Sequence, residues 1–144
     1  ARIILNNLFS PFKKRLNNDH MSWVTFTDPE LATFGLNEKE LKERKIGYER
    51  LEQKFDHDDR AIVDDYRYGK MILGGTMVSP NAGELIQELI LANSTGLSIN
   101  TIFNKIYPYP VASRINQKTI VQYKQKLLTE SLKKLLRIAY RFFS

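Results

Sequence analysis

The chain has 144 residues, is 42% hydrophobic and 26% charged, and carries a formal net charge of +6, which is typical of a folded domain and not of a disordered one. It contains no cysteine, so its own residues cannot supply disulfides, thiolate zinc sites, cysteine nucleophiles or dithiol redox chemistry. Its two histidines, His20 and His57, are too far apart to predict a metal site, and no apolar run is long enough for a membrane span.

The first nine residues, ARIILNNLF, predict a helix, because Ile4, Leu5, Leu8 and Phe9 fall on one stripe. Ser10-Pro11 ends this helix, and a polar, basic connector follows. The chain starts without an initiator methionine and inside an apolar-periodic stretch. We therefore expect it to be a piece of a longer protein, with its best domain boundary at this connector.

Four segments predict strands, because they are rich in β-branched and aromatic residues or alternate polar with apolar residues: 22–27, 48–55, 60–63 and 70–78. Asp28-Pro29-Glu30 predicts a turn, followed by a short segment that Gly35 closes. Asn37 predicts the N-cap of a short helix that runs to residue 45. In the last strand, Gly74 and Gly75 predict a bulge or a close backbone approach.

Helices dominate the second half of the chain. Ser79-Pro80-Asn81 predicts the start of a helix that Gly96 ends, and Ser98 predicts the cap of a shorter helix. A long helix should begin near Ser113 and run to the C-terminus, with one apolar side formed by Leu128, Leu132, Leu135, Ala139 and Phe142. Because too little helix separates the strands for repeated βαβ crossovers, the pattern predicts the α+β class with a mostly antiparallel sheet.

Few side chains suggest catalysis by themselves. Asp56, Asp58 and Asp59 beside His57 allow a metal or acid–base site, but consecutive carboxylates on a turn diverge, so a solvated turn is the favoured interpretation. The pair at positions 64 and 65 is interpreted in the same way. Glu84 and Glu88, four residues apart on one helix, predict either a shared site or a polar edge of an apolar helix. No nucleotide-binding glycine loop is present.

The segment Tyr107-Pro108-Tyr109-Pro110 cannot be helical, because each tyrosine precedes a proline and prolines lack an N–H donor. Two interpretations remain open. The prolines hold the phenols in a rigid, preset presentation for function, or the segment is a stiff connector between helices with half-buried rings.

Three segments in order carry a family resemblance: WVTFTDPELATFGLNEKELKE, DHDDRA and LGGTMVSPNAGELIQELILANSTGLSINTIFNKIYPYP. Over residues 20–117 the chain resembles the C-terminal dimerisation domain of the flavin-dependent pyridine nucleotide–disulfide oxidoreductases. The resemblance implies an antiparallel sheet of about five strands with helices packed on it, and a symmetric homodimer. It also implies a parent oxidoreductase that binds FAD and NAD(P)H in upstream domains, with this fragment inactive alone. Residues 1–12 would end a preceding FAD-domain helix, and 118–144 would form a C-terminal basic amphipathic helix.

In this family the loop that follows the helices enters the partner subunit's active site, and many members carry His-Pro-Thr-x-x-Glu there. The resemblance places Tyr109 at the histidine position, as the catalytic candidate, and Tyr109 and Pro110 near the partner's flavin. Val111 replaces the threonine and Arg114 replaces the glutamate. A phenol, which ordinarily ionises at about pH 10, is a poor general base. Dihydrolipoamide-type and glutathione-type chemistry are therefore disfavoured. A tyrosine in this loop resembles mercuric reductases, although the cysteine pair of their tail is missing.

The family also has a full strand and turn between the DRA and LGG blocks, where this chain has only YRYGKMILGG. Either a hairpin is shortened here, or a loop is missing from the chain.

The positive charge lies at the C-terminus. Residues 105–144 carry nine basic side chains and one acidic side chain, Glu130, so this segment has a net charge of +8 and the remainder of the chain has −2. A solvated helix face is the favoured interpretation, and the alternatives are a nucleic-acid-binding module or contact of Leu127 to Phe143 with an anionic membrane surface. No nucleic-acid-binding motif is present, so no nucleic acid is expected as a partner. Without a signal peptide or cysteines, we expect a cytoplasmic location.

Overall fold

Five strands form one antiparallel sheet in the computed structural model, which describes residues 2–15, 17–54, 62–69 and 71–143. The strands lie in the order β1-β2-β5-β4-β3, and their bounds are β1 (Ser22–Thr25), β2 (Glu30–Gly35), β3 (Glu49–Lys54), β4 (Ile62–Tyr68) and β5 (Met71–Ser79). All neighbouring pairs are antiparallel. The predicted α+β class, with an antiparallel sheet and helices, is confirmed.

Seven helices accompany the sheet in the described part of the chain: α1 (Arg2–Phe9), α2 (Glu38–Glu43), α3 (Ala82–Leu85), α4 (Gln87–Thr95), α5 (Ile99–Phe103), α6 (Arg114–Leu127) and α7 (Glu130–Phe143). A short 3₁₀ turn at Asn18–His20 precedes β1. The helices α3 to α6 follow the sheet in sequence, so the loop with the two tyrosines joins α5 to α6.

Side-chain caps fix several helix ends at the predicted residues. Asn37 and Glu40 form a reciprocal capping box at the start of α2, with each side chain accepting from the other residue's backbone N–H. The Ser98 side chain accepts from the Asn100 N–H at the start of α5. Gly96 ends α4 in the left-handed conformation, with φ of 66°. These local signals therefore determine where the helices begin and end.

The main core lies between the central strands and the helices α3 to α6. Its buried members from the sheet are Ala32, Phe34, Ile72 and Met77, and its buried members from the helices are Ala82, Ile86, Leu89, Ala92, Ile99, Ile102, Ile115 and Ile120. A smaller cluster joins Leu36 and Leu41 with the partly buried Leu73. Burial of this apolar surface is the main favourable term that holds α4, α5 and α6, and hence the loop between α5 and α6, against the sheet.

The sequence predicts a bulge or a close backbone approach at Gly74 and Gly75 of β5, and the structure has both features there. Tyr66 and Arg67 of β4 lie opposite Gly74 and Ile72, so Leu73 is an additional residue on β5 and forms a bulge. Gly74 lies directly against the backbone of Leu36, where a Cβ atom would come 2.6 Å from the Leu36 nitrogen and closer still to its carbonyl oxygen. The bulge and the close approach are therefore confirmed at the same place.

A buried amide stabilises this bulge. Asn93 on α4 donates through Nδ2 to the carbonyls of Ile72 and Leu73, at 3.0 and 3.1 Å. Its Oδ1 lies 2.8 Å from Nδ1 of His20. The Leu73 carbonyl also accepts from the Leu36 N–H at 3.0 Å, so at the bulge Asn93 adds a side-chain donor from the helix to the backbone hydrogen bonding. Asn93 therefore fixes α4 on the sheet.

The strand predictions were wrong or incomplete at two places. The segment after Asp28-Pro29, predicted only as a short tight segment that Gly35 closes, is strand β2, which lies between β1 and β5 and in which Ala32 and Phe34 are buried. Its mixed composition hides it, because burial between two strands does not require β-branched residues. Of the predicted strand 60–63, residues 62 and 63 are described, and they begin the longer strand β4. β4 and β5 are consecutive strands that pair antiparallel, with Tyr68 opposite Met71.

The helix predictions were wrong in length. The helix after Asn81 is interrupted at Ile86, which separates α3 from α4. The predicted long C-terminal helix is two helices, because the chain turns at Leu128 and the Thr129 hydroxyl accepts from the Leu132 N–H and caps α7. The described side chains of α7, residues 130–138, are all exposed. None of the described helices has the length and apolarity needed to cross a membrane.

We predict that Gly74→Ala lowers the free energy of unfolding by about 3 kcal/mol, because the added methyl group meets rigid backbone atoms of Leu36 and Phe34. Gly83→Ala is the control, since its Cβ would meet a side-chain atom, Cγ2 of Val24, at 2.9 Å, and alanine favours the helix. Urea unfolding followed by the fluorescence of Trp23 measures both variants. Equal losses in the two variants would contradict the backbone contact.

Candidate functional site

The loop between α5 and α6 separates its two tyrosines. Tyr107 is half-buried, whereas Tyr109 is 88% exposed. Neither residue is helical, as predicted. The sequence left two interpretations open, a stiff connector with half-buried rings and a rigid presentation of the phenols. The half-buried Tyr107 fits the first interpretation, and the exposed Tyr109 fits the second.

Glu88 on α4 anchors this loop. The Tyr107 hydroxyl donates to Oε1 of Glu88 at 2.6 Å, and Nδ2 of Asn116 on α6 donates to the same oxygen at 2.8 Å. The Lys105 ammonium group donates to Oε2. A half-buried carboxylate needs such donors to offset its loss of hydration. One carboxylate therefore joins α4, the loop and α6.

Further contacts make this cluster rigid. Asn116 is fully buried, and its Nδ2 also donates to the Leu85 carbonyl at 2.8 Å. Nε2 of Gln117 donates to the carbonyls of Phe103 and Lys105, at 2.7 and 3.0 Å. The Lys105 nitrogen lies 4.4 Å from the centre of the Tyr107 ring, within cation–π range. Gln117, near the start of α6, thus holds the beginning of the segment that leads to Tyr109.

Burial, followed by the hydrogen bond to Glu88, raises the pKa of Tyr107 well above its usual value. Tyr107 is therefore a neutral hydrogen-bond donor at physiological pH. This state suits a structural phenol and excludes Tyr107 as a general base, which would need a pKa near the working pH.

Beyond this cluster, an open hollow of about 340 Å³ lies beside Tyr109. Its lining consists of residues from the end of the loop and the first turns of α6: Tyr109, Pro110, Val111, Ala112, Arg114, Ile115 and Lys118. Both predicted site residues, Tyr109 and Pro110, therefore line one surface. Arg114, which stands where the family pattern has glutamate, lines the same surface.

The other candidate sites have different outcomes. Asp56, His57, Asp58 and Asp59 lie outside the described residues. The backbone of residues 64 and 65 belongs to β4. Glu84 is exposed and takes no part in the cluster around Glu88, so the predicted pair does not form a shared site. Among the described residues, no group of acidic or histidine side chains could hold a metal ion.

Sequence reasoning missed three residues of the site: Lys105, Asn116 and Lys118. The spacing of Arg114 and Lys118, four residues apart, could have shown that they share one face of α6. No local signal indicates that Asn116 and Lys105 meet Glu88, because these contacts join residues that are 28 and 17 positions apart.

The comparisons with known proteins agree on one domain type. The family model "Pyridine nucleotide-disulphide oxidoreductase, dimerisation domain" matches residues 21–119. Dihydrolipoyl dehydrogenase from Buchnera aphidicola subsp. Acyrthosiphon pisum is 37% identical over 100 residues, which cover 62% of this chain and 21% of that enzyme. Mercuric reductase from Staphylococcus aureus is 30% identical over 117 residues, which cover 74% of this chain and 21% of that enzyme. The chain thus spans about a fifth of the length of these relatives.

Solved structures share the fold. LpdA from Mycobacterium tuberculosis superimposes with a TM-score of 0.70 at 18% identity, over 89% of this chain and 29% of that one. The Cu(II) complex of the HOCl-induced flavoprotein disulfide reductase RclA from Escherichia coli superimposes with a TM-score of 0.71 at 17% identity, over 84% of this chain and 30% of that one. At these identities the likeness concerns the fold alone.

We predict that Tyr107→Phe lowers the free energy of unfolding at neutral pH by about 2 kcal/mol, because Glu88 loses a charge-assisted hydrogen bond in a half-buried place. Tyr109→Phe is the matched control in the same loop. Its ring is exposed, so we expect a change below about 0.5 kcal/mol. Urea unfolding measures both variants, and a similar loss in the two would contradict the anchoring role of Tyr107.

Alkaline pH should weaken the same contact. The pKa of Tyr107 is raised in the folded state, and a tyrosine in the unfolded chain ionises at about pH 10. The unfolded state therefore releases its proton first as the pH rises, and ionisation favours unfolding. The stability that Tyr107 contributes is complete below about pH 10 and declines above it. The difference in unfolding free energy between the unsubstituted chain and Tyr107→Phe should hold from about pH 8 to about pH 9 and shrink from about pH 10 to about pH 11. A constant difference would contradict this expectation.

Proposed function

The chain belongs to the family of pyridine nucleotide-disulphide oxidoreductase dimerisation domains, and on this premise we propose that it is the dimerisation domain of a flavin-dependent oxidoreductase. The observation that carries the proposal is the family match over residues 21–119, which includes the loop of Tyr109 and the start of α6. Mercuric reductase and dihydrolipoyl dehydrogenase both appear among the relatives. The tyrosine at the histidine position favours a mercuric-reductase-like parent. We propose a domain of residues 20–117 with a basic extension, 118–144.

The exposed residues of α1 support the proposal that residues 1–12 end a helix of a preceding FAD domain. Leu8 and Phe9 are 68% and 85% exposed, although they form part of an apolar stripe. The side-chain hydrogen bonds of Asn6 and Asn7 reach only as far as Phe12 and Lys14. Such a surface favours contact with another domain.

Other domains of the parent protein would bind FAD and NAD(P)H, and these cofactors would carry the electrons. This chain has no glycine-rich phosphate loop, so its own contribution is limited to exposed loop residues. The exposure of Tyr109 and Pro110 fits a role against the flavin of a second copy. Because a phenol donates a hydrogen bond at neutral pH and is a poor base, Tyr109 would orient or protonate the reacting group. The isolated chain would be inactive.

The alternative functions gain no support from the comparisons. The basic residues of α6 and α7 account for the positive charge, whereas the matching family model is that of an oxidoreductase dimerisation domain. A cytoplasmic location is part of the proposal and is consistent with a chain free of cysteine.

A dimerisation domain should self-associate. We expect the chain, of 16.8 kDa, to sediment at equilibrium as a species of twice that mass at micromolar concentration. Sedimentation over a concentration series measures this. A monomer at every concentration would contradict the dimer for this chain.

The role of Tyr109 can be tested in the full-length oxidoreductase. We expect Tyr109→Phe to slow reduction of the electron acceptor about tenfold or more, because a donor is lost at the reacting group. Reduction of the flavin by NAD(P)H should change less than twofold and provides the internal control. Stopped-flow absorbance separates the two half-reactions. Equal effects on both half-reactions would exclude a role on the acceptor side.

A further inference from the structure

Two cationic side chains line the hollow beside Tyr109. Arg114 and Lys118 lie one turn apart on α6, and both contribute to the lining together with the apolar Pro110, Val111 and Ile115. Arg114 and Lys118 are exposed, and among the described residues neither has a carboxylate within ion-pair distance. The hollow therefore combines an apolar surface with two positive charges that no described group balances.

The surroundings strengthen this positive potential. From residue 105 to residue 129 the sequence contains no acidic side chain. Glu88 accepts hydrogen bonds from Lys105, Tyr107 and Asn116, so its negative charge is compensated by these donors and not by Arg114 or Lys118. The N-terminus of α6, the positive end of its dipole, also lies at the hollow.

The backbone of this helix end does not provide the site. The N–H groups of Arg114, Ile115 and Asn116 donate to the carbonyls of residues 111, 112 and 113. A ligand in the hollow would therefore be held by side chains. The guanidinium group offers a planar pair of donors that matches a carboxylate, and the ammonium group adds a point charge.

We propose that this hollow binds a carboxylate, with Arg114 and Lys118 holding the anionic group and the apolar lining contacting an attached ring or short chain. The inference rests on the proposed function for its biological meaning. In the full-length oxidoreductase, the hollow beside Tyr109 takes the anionic end of the electron acceptor, so the preferred acceptors are carboxylate-bearing molecules. The volume of about 340 Å³ lies at the lower end of the range for small-molecule pockets, which suits an aromatic acid.

The test compares two probes of the same shape, benzoate and its uncharged amide, benzamide. Titration of the full 144-residue chain is followed by the ¹H–¹⁵N resonances of Tyr109, Arg114 and Lys118. We expect benzoate to shift these resonances saturably and to bind at least tenfold more tightly than benzamide. Equal binding of the two probes would overturn the proposal.

A charge-matched pair of variants separates the hollow from general electrostatic attraction. The double variant R114Q/K118Q should weaken benzoate binding about tenfold, whereas K134Q/R137Q, which removes the same charges from exposed positions of α7, should change it less than twofold. All four side chains are exposed, and the amide spectrum confirms that each variant is folded. Equal weakening by both double variants would show that benzoate binds the basic chain nonspecifically, and would overturn the site.

Kinetics of the full-length protein distinguish failure of this inference from failure of the proposed function. Benzoate should raise the apparent KM for the acceptor, and benzamide should not. If benzoate binds the hollow but the protein does not oxidise NAD(P)H, the proposed oxidoreductase function fails and only the carboxylate site stands. If NAD(P)H is oxidised and benzoate leaves the apparent KM unchanged, the assignment of the hollow to the acceptor fails alone.

Discussion

The half-buried carboxylate of Glu88 is the interaction on which the geometry of the candidate site depends. An ionised carboxylate that leaves water must recover its hydrogen bonds, and here three donors come from two parts of the chain: Lys105 and Tyr107 in the loop and Asn116 in α6. Because Glu88 itself lies on α4, satisfying this one charge fixes α4, the loop and α6 together. Tyr109, two residues beyond Tyr107, is then presented by a segment that cannot relax without exposing unpaired polar groups.

The sheet fixes α4, the helix that carries Glu88, through contacts at the bulge of β5. The absence of a side chain at Gly74 lets the backbone of β5 approach that of Leu36, and the bulge at Leu73 turns neighbouring residues of β5 into different apolar clusters. Asn93 donates to the carbonyls of Ile72 and Leu73 at the bulge, so α4 is attached to the sheet by hydrogen bonds as well as by apolar packing. Glu88 lies on that same helix. The position of the loop is thus connected to the central strands through α4.

Much of the fold could be predicted from the sequence, because its signals are local or belong to the family pattern. Asn37, Ser98 and Gly96 act on the residues beside them, and the glycines of β5 have no other common use in a strand. The strand β2 escaped prediction because its burial comes from neighbours distant in sequence, and the break before α7 escaped because an apolar periodicity continues across Thr129. For the site, the sequence identified the loop but could not distinguish Tyr107 from Tyr109. Both precede proline, and only the distant partner Glu88 makes one structural and leaves the other exposed.

As proposed above, Arg114 occupies the position at which many family members have a glutamate. A carboxylate at that position would face a histidine and orient it, and both would titrate or polarise together. On the proposed correspondence, Tyr109 takes the place of the histidine and Arg114 that of the glutamate, so a phenol with a guanidinium group beside it would replace the acid–base pair as a unit. A phenol needs no carboxylate to select its tautomer, so position 114 is free to change its charge. A positive charge next to an exposed hydrogen-bond donor attracts anions, and the carboxylate of Glu88 is directed into the loop by its bonds to Tyr107 and Asn116. On the proposed correspondence, the surface that replaces the acid–base pair would therefore be suited to recognition of a negatively charged group.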